Sequence, residues 1–354
     1  MPAFALNHWM TELPKRPGRR AYEWHRALDG YAPTPLRDAP ELAARIGLDR
    51  LWVKDETLRF GMPAFKILGV SWAVRSALHS RPDRPVLVAA TDGNHGHAVG
   101  RVAAQHRCRA LVFVPGDTSA ARIDRIRGEG ADVEVVEGDF DTAVATAARF
   151  AAERDDAVLI SDTALEPGEL TPEAVVDGYG TLFWEIGEQL ATAGAAPDLV
   201  VVQVGSGGLA AAAGRYFRHA ELPVMPYLCG IEPVSAGCAV ASVGQPEAVQ
   251  IVSTFGSVMA GLNAGRLSAA AWPDISAAYD GFVTIEDDWC FAAQAMLREV
   301  GIRAGETGAS GFAGLLALRH LTEFGPATQN PGLSAIRAAR SALVIVTEGM
   351  PATS

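Results

Sequence analysis

The sequence predicts an α/β protein with mostly parallel sheets flanked by helices. Short runs of β-branched or aliphatic residues recur along the chain, and each ends in a turn signal. A longer Ala- and Arg-rich stretch with helical spacing then follows, which is the pattern of successive βαβ units. With 354 residues and 49% hydrophobic side chains, the chain can fill the cores of two domains.

Taken in order, residues 1–30 carry few periodic apolar positions and are expected as an N-terminal arm. Strands are expected at 51–53, 86–90, 110–114, 132–136, 157–160, 199–203, 227–231, 282–285 and 342–346, each a compact aliphatic run. Helices are expected at 94–106, 118–128, 141–153, 172–190 and 207–217, where apolar residues return at helical spacing. The Arg- and Pro-rich stretch 81–85 and the Thr171-Pro172 step read as boundaries. They divide the chain into a large domain, 1–82 with 172–354, and a smaller mobile α/β domain, 83–171.

Thirty basic and 41 acidic residues give a formal charge of -11. That balance argues against a nucleic-acid partner and supplies no polybasic face for a membrane, which leaves a small molecule as the expected partner. Cys108, Cys229, Cys238 and Cys290 are far apart, with no CxxC or Cys/His pairing. Reduced thiols and a cytoplasmic location follow as expectations. The start, MPAFALNHWM, lacks the basic and long apolar regions of an export signal.

Lysine is scarce: the chain has only Lys15, Lys54 and Lys66. Lys15 sits in an Arg- and Pro-rich leader, and Lys54 ends a short apolar run beside Asp55 and Glu56, so both read as solvated charges. Lys66, within KDETLRFGMPAFKILG, is the candidate catalytic amine, because a lysine becomes reactive when desolvated or covalently partnered.

In open α/β sheets, ligands settle where strand ends and helix N-termini converge. After 199–203 comes Gly205-Ser206-Gly207-Gly208-Leu209, either a phosphate cradle at a helix N-terminus or a tight packing turn. After 86–90 comes Thr91-Asp92-Gly93-Asn94-His95-Gly96; one polar residue here would serve as a helix cap, and the others remain available to a ligand. Ser161-Asp162-Thr163 and Thr347-Glu348-Gly349 follow two further strands, as routine turns or as site residues. The loop 305–311, which contains Glu306, reads as a packing turn or a pocket wall. His95 and His97, spaced i, i+2, do not share a helical face, so no metal is expected. No GxSxG elbow is present, and GSGGLA lacks the third glycine of a dinucleotide fingerprint.

Together and in this order, KDETLRFGMPAFKILG, ATDGNHGHAVG, SDTALEPGE, DGYGTL, VGSGGLA, GIEP, VMAGLNAG, GETGASG and VTEG resemble the pyridoxal-phosphate enzymes of fold type II, the tryptophan synthase β-subunit-like family. Within it they are most similar to diaminopropionate ammonia-lyase and the related threonine and serine dehydratases. The resemblance covers about residues 50–349; the chain departs from it at Pro63 and Met350. It implies a two-domain enzyme, a homodimer by family habit, that binds pyridoxal 5'-phosphate covalently through Lys66. Asn94 would bond the cofactor's phenolic oxygen, Gly205, Ser206, Gly207, Gly208 and Leu209 its phosphate, and Thr347 would face its ring nitrogen. Lys66, Asp92 and Asp162 would carry proton transfer, with Thr91, Asp92, His95, Asp162 and Glu306 lining the substrate side. The implied reaction is α,β-elimination from a small amino acid, giving a 2-oxo acid and ammonia. A β-replacement enzyme, a threonine or serine dehydratase and a non-catalytic cofactor-binding homologue are the alternatives.

Overall fold

The computed structural model describes residues 2–7, 12–81, 83–91, 93–138, 140–252, 256–324 and 330–350. The strands, in chain order, are β1 (Ala3–Leu6), β2 (Leu36–Asp38), β3 (Arg50–Asp55), β4 (Val86–Ala90), β5 (Ala110–Pro115), β6 (Asp132–Val136), β7 (Ala157–Leu159), β8 (Leu199–Gln203), β9 (Tyr227–Pro233), β10 (Gly281–Ile285) and β11 (Ser341–Val346). Those from β3 to β11 are the runs expected from the sequence. The chain divides into two units, Met1–Phe65 with Gly180–Ser354, and Lys66–Tyr179.

The first unit is built on a seven-stranded sheet in the order β1-β10-β9-β8-β11-β3-β2. Its inner pairs are all parallel, with Val283 opposite Ile231, Val201 opposite Cys229, and Val344 opposite both Val201 and Val53. β8 and β10 are buried at every position, as expected of parallel strands covered on both faces. The helix Glu306–Phe324 lays Phe312, Leu315 and Leu318 into the core formed by Val53, Val201, Ile231, Val283 and Val344. The edges are antiparallel: β1 pairs with β10, and β2 with β3. Residues 1–30, expected as an arm, thus contribute an edge strand. They also form the helix Arg20–Arg26, whose buried His25 Nδ1 hydrogen-bonds Thr181 Oγ1 at 2.6 Å.

The second unit holds a four-stranded parallel sheet in the order β6-β5-β4-β7. Its core gathers Val88, Phe113, Ala143, Ala147 and Ala157, with the Phe113 and Phe150 rings 5.6 Å apart. The unit begins at Lys66, earlier than the Pro-rich stretch suggested. The reason lies in how the helix Lys66–Ser80 packs: a Cβ on Gly178 would come within 2.5 Å of the Leu68 carbonyl oxygen, and one on Gly69 within 2.5 Å of the Tyr179 ring. Two glycines facing each other let these backbones meet, so the helix associates with this unit more closely than chain punctuation implies.

Candidate active site

The sheet order of the second unit makes β4 and β7 neighbours, so the loops leaving their carboxyl ends emerge side by side. The loop after β4 is pinned by Thr91, whose N–H donates to the Phe113 carbonyl at 3.0 Å and whose Oγ1 accepts from the Gly93 N–H at 3.1 Å. Gly93 is the helix cap, so Asn94 and His95 open the helix Asn94–His106 without capping it. Asp92 lies outside the described residues.

After β7, Ser161 Oγ closes a turn on Thr163, and Asp162 is left facing Lys66. Lys66 Nζ donates to Asp162 Oδ2 at 2.7 Å, while Thr163 Oγ1 donates to Oδ1 at 3.2 Å. Burial alone would lower the Lys66 pKa, but the Asp162 charge and the bonds from Asp162 and Tyr179 outweigh it and hold the amine well above the ordinary lysine range. Burial would likewise raise the Asp162 carboxyl, and Lys66 overrides it to hold the group well below the usual carboxylate range. His95 is buried; burial pushes its imidazole down with help from the Lys66 charge, outweighing the Asp162 charge and the Ile160 bond that pull the other way, which favours the neutral ring at neutral pH. Its Nε2 lies 2.7 Å from the Ile160 carbonyl oxygen, and its Nδ1 lies 3.8 Å from Asp162 Oδ2.

Tyr179 completes this group and was not singled out from the sequence. Lys66 Nζ sits 5.8 Å from its ring centroid, and burial pushes the phenol well above its ordinary pKa. The DGYG motif was the available signal: its one glycine-flanked residue is the tyrosine that faces the lysine.

The first unit organises a second set of predicted residues. Gly207 has φ +95, and a Cβ there would fall 2.7 Å from Ile275 Cδ1, so the loop into the helix Gly208–Phe217 requires glycine. The first-turn N–H groups of that helix point toward the loop, as a phosphate requires. Gly205 is pressed against the segment 257–263, where a Cβ would meet the Gly261 carbonyl oxygen at 2.7 Å. The Gly261 N–H donates to Thr307 Oγ1 at 3.0 Å, and the buried Thr347 hydroxyl donates to the Thr307 carbonyl at 3.4 Å. Gly205, Thr307 and Thr347 are therefore linked. Glu306 opens the helix Glu306–Phe324 and is half-buried. Thus Lys66, Thr91, Asn94, His95 and Asp162 belong to the second unit, and Gly205, Ser206, Gly207, Gly208, Leu209, Glu306 and Thr347 to the first.

The segment leading to Lys66 corrects one expectation. Lys54, read as a solvated charge, is fully buried, with Nζ 2.8 Å from Glu185 Oε2 and 2.9 Å from both the Thr34 carbonyl and Gln189 Oε1. Its strand neighbours leave it pointing into a closed network. Arg59 bonds Glu185 at 2.6 Å and 2.8 Å and Glu56 at 2.5 Å and 2.9 Å, all of them buried. Two cations and two anions thus anchor the KDETLRFG loop. Past it, Gly349 donates to the Pro63 carbonyl at 2.9 Å and Phe65 to the Thr347 carbonyl at 3.3 Å, fixing the residue that precedes Lys66.

The second unit thus pairs a half-buried amine with a carboxylate, and the first links a glycine cradle to a buried hydroxyl. Among the described residues no group of three or more His, Cys, Asp or Glu is placed to hold a metal ion, and no helix is long and apolar enough to cross a membrane. An amine beside a carboxylate and a glycine loop at a helix N-terminus are the groups a pyridoxal-phosphate enzyme uses. Residues 27–329 match the pyridoxal-phosphate dependent enzyme family, and the chain belongs to it.

A diaminopropionate ammonia-lyase of Salmonella typhimurium is 34% identical over 333 residues, spanning 84% of this chain and 81% of that protein. The crystal structure of diaminopropionate ammonia-lyase from Escherichia coli with an aminoacrylate-PLP azomethine reaction intermediate has a TM-score of 0.88 at 27% identity, covering 99% of this chain and 94% of that one. A biosynthetic L-threonine dehydratase of Haemophilus influenzae is 29% identical, over 84% of this chain and 54% of its own length. The chain has fold type II and is a pyridoxal-phosphate-dependent lyase that works by α,β-elimination.

Proposed function

We propose that the chain is an ammonia-lyase acting on 2,3-diaminopropionate, consuming one water and yielding a three-carbon 2-oxo acid and two ammonia molecules. The Lys66–Asp162 pair carries this reading: a carboxylate that already holds an ammonium at 2.7 Å is the recognition element a diamine needs. When bound, pyridoxal phosphate supplies an electron sink for the bonds at the substrate's α-carbon.

The residues of the chain do the rest. Lys66 anchors the cofactor, and its amine, once released, accepts the α-proton. Gly205 to Leu209 bind the phosphate, Asn94 the phenolic oxygen, and Thr347 offers the ring nitrogen a hydroxyl in place of an acid. Asp162 receives the side-chain ammonium, and Asp92 moves a proton on the substrate side. Thr91, His95 and Glu306 line the substrate. The four cysteines are free, which supports a reducing cytoplasm, and we take the working assembly to be a homodimer on the family resemblance.

The test is release of 2-oxo acid and ammonia from D- and L-2,3-diaminopropionate, serine and threonine. A kcat/KM for one diamine isomer at least about tenfold above those for serine and threonine is expected. A preference for threonine would replace this reading with a dehydratase.

A further inference from the structure

The imidazole of His95 has one nitrogen that is fully accounted for and one that is not. Nε2 lies 2.7 Å from the Ile160 carbonyl oxygen, and a carbonyl can only accept, so Nε2 carries the proton. In the neutral ring Nδ1 is then a bare lone pair. That atom is buried and has no hydrogen-bond partner among the described residues. It faces Asp162 Oδ2 at 3.8 Å, so two acceptors look at one another across a gap that suits a donor with two N–H bonds. Contacts of about 2.9 Å from a single nitrogen can reach both atoms.

We infer that His95 Nδ1 and Asp162 Oδ2 form the acceptor pair for the substrate's β-ammonium, which makes His95 a specificity-determining residue. The inference rests on the diaminopropionate reading and deepens it. Its chemistry favours a leaving group that brings its own proton. When the Cβ–N bond of a β-ammonium breaks, the electron pair stays on nitrogen and neutral ammonia departs, so no acid is needed. A β-hydroxyl must gain a proton to leave as water, and an imidazole whose Nδ1 is bare has none to give there. A neutral His95 therefore selects the diamine twice: it accepts the ammonium and withholds a proton from the alcohol.

The experiment uses the holoenzyme. His95→Gln keeps an amide N–H for the Ile160 carbonyl, and His95→Phe removes both ring nitrogens; retention of cofactor absorbance and circular dichroism reports that each variant is folded and loaded. The diamine-to-serine ratio of kcat/KM is expected to fall about tenfold or more in both variants, mainly through KM for the diamine. In parallel, ring-15N-histidine NMR of the wild type, with His95 assigned by its loss in His95→Gln, is followed on adding 1,2-diaminoethane or ethylamine. The Nδ1 signal is expected to move toward the hydrogen-bonded position with the diamine and to stay put with ethylamine. If the wild type prefers the diamine and the variants keep that ratio, the inference fails while the functional reading stands. If the wild type shows no preference for the diamine, the functional reading fails, and the NMR result alone decides: no response of Nδ1 to the diamine overturns the role of His95, and a selective response upholds it.

Discussion

Lys66 Nζ lies 2.7 Å from Asp162 Oδ2, and that contact sets the charge on the amine. Burial favours a neutral lysine, whereas Asp162 and Tyr179 favour the ammonium and prevail. An ammonium cannot attack an aldehyde, so under the proposed role of Lys66 the Asp162 contact would store it in an unreactive form until a proton is lost. In Asp162→Asn the burial effect is left unopposed by that charge, and the Lys66 pKa falls. The pH at which stripped protein regains cofactor absorbance on adding pyridoxal phosphate should drop by on the order of one to two units. An unchanged pH profile would show that Asp162 does not control the amine.

The same pair has a thermodynamic signature. Asp162 is held below its unfolded pKa, so its contribution to stability is present above about pH 4 and is lost as pH falls further. Lys66 is held above its unfolded pKa, so its contribution is present below about pH 10 and is lost at higher pH. Urea denaturation from pH 3 to pH 11 should show both losses in the wild-type apoprotein, and Asp162→Asn should flatten each. A variant that keeps the wild-type profile would contradict the coupling.

Glu185 is the hub of the buried network that precedes the lysine. It accepts from Lys54, Arg59, Tyr31 and the Thr34 N–H, and none of its side chain reaches solvent. Glu185→Gln leaves Lys54 and Arg59 facing Glu56 alone, an excess of buried positive charge. The expected loss is about 3–5 kcal/mol in chemical denaturation, the cost of breaking a buried ion pair from one side. A loss under about 1 kcal/mol, typical of exposed pairs, would mean water reaches the network.

How legible all this was from the sequence depends on the kind of interaction. The inner strands could be read because a parallel strand buried on both faces is a plain aliphatic run, as in Leu199–Gln203 or Ser341–Val346. β1 and β2 could not, since Leu36–Asp38 is a three-residue edge whose polar side chains are solvated. The loops after β4, β7, β8 and β11 stood out because polar residues cluster where aliphatic runs stop. Lys54 was misread because nothing local tells a strand lysine that its counter-ion lies at position 185. Tyr179 was overlooked for a similar reason: its partner Lys66 is distant in sequence, and a tyrosine between glycines in a helical stretch has many packing roles. The neutral tautomer of His95 needed the Ile160 carbonyl, which only the fold supplies.

Glu232 offers a titration away from the lysine. Burial pushes its carboxyl up to about 7, although the Ala239 and Val240 N–H groups and the Cys238 thiol donate to it and pull the other way. A carboxyl with a raised folded pKa favours the folded state while both states are protonated. The Glu232 contribution should therefore be fully present below about pH 4.5, fall between that and pH 7, and level off above. The fall due to Glu232 is on the order of 3 kcal/mol. Comparing urea midpoints of wild type and Glu232→Gln across this window isolates it, since every other carboxylate is common to both proteins. Parallel curves would show that Glu232 is ionised throughout.

The glycine cradle is testable by adding a single carbon. At Gly207 an alanine would have to hold φ near +95 and place its Cβ 2.7 Å from Ile275 Cδ1 and 3.2 Å from Ala271 Cβ. Left-handed backbone alone costs about 1–2 kcal/mol for a residue with a Cβ, and the contacts add strain. At Gly205 the new carbon would meet the Gly261 carbonyl oxygen at 2.7 Å, a backbone atom that cannot rotate away. Either substitution should shift the loop and weaken pyridoxal phosphate binding by about tenfold or more, read as the Kd from quenching of protein fluorescence. Gly180→Ala is the control: its Cβ would meet nothing within 4 Å, and it lies inside the helix Leu170–Thr192. Alanine there should raise stability by about 0.5–1 kcal/mol through helix propensity and leave the cofactor Kd unchanged. If Gly207→Ala and Gly180→Ala bind the cofactor equally well, the loop from Gly205 to Leu209 is a packing turn and the phosphate is held elsewhere.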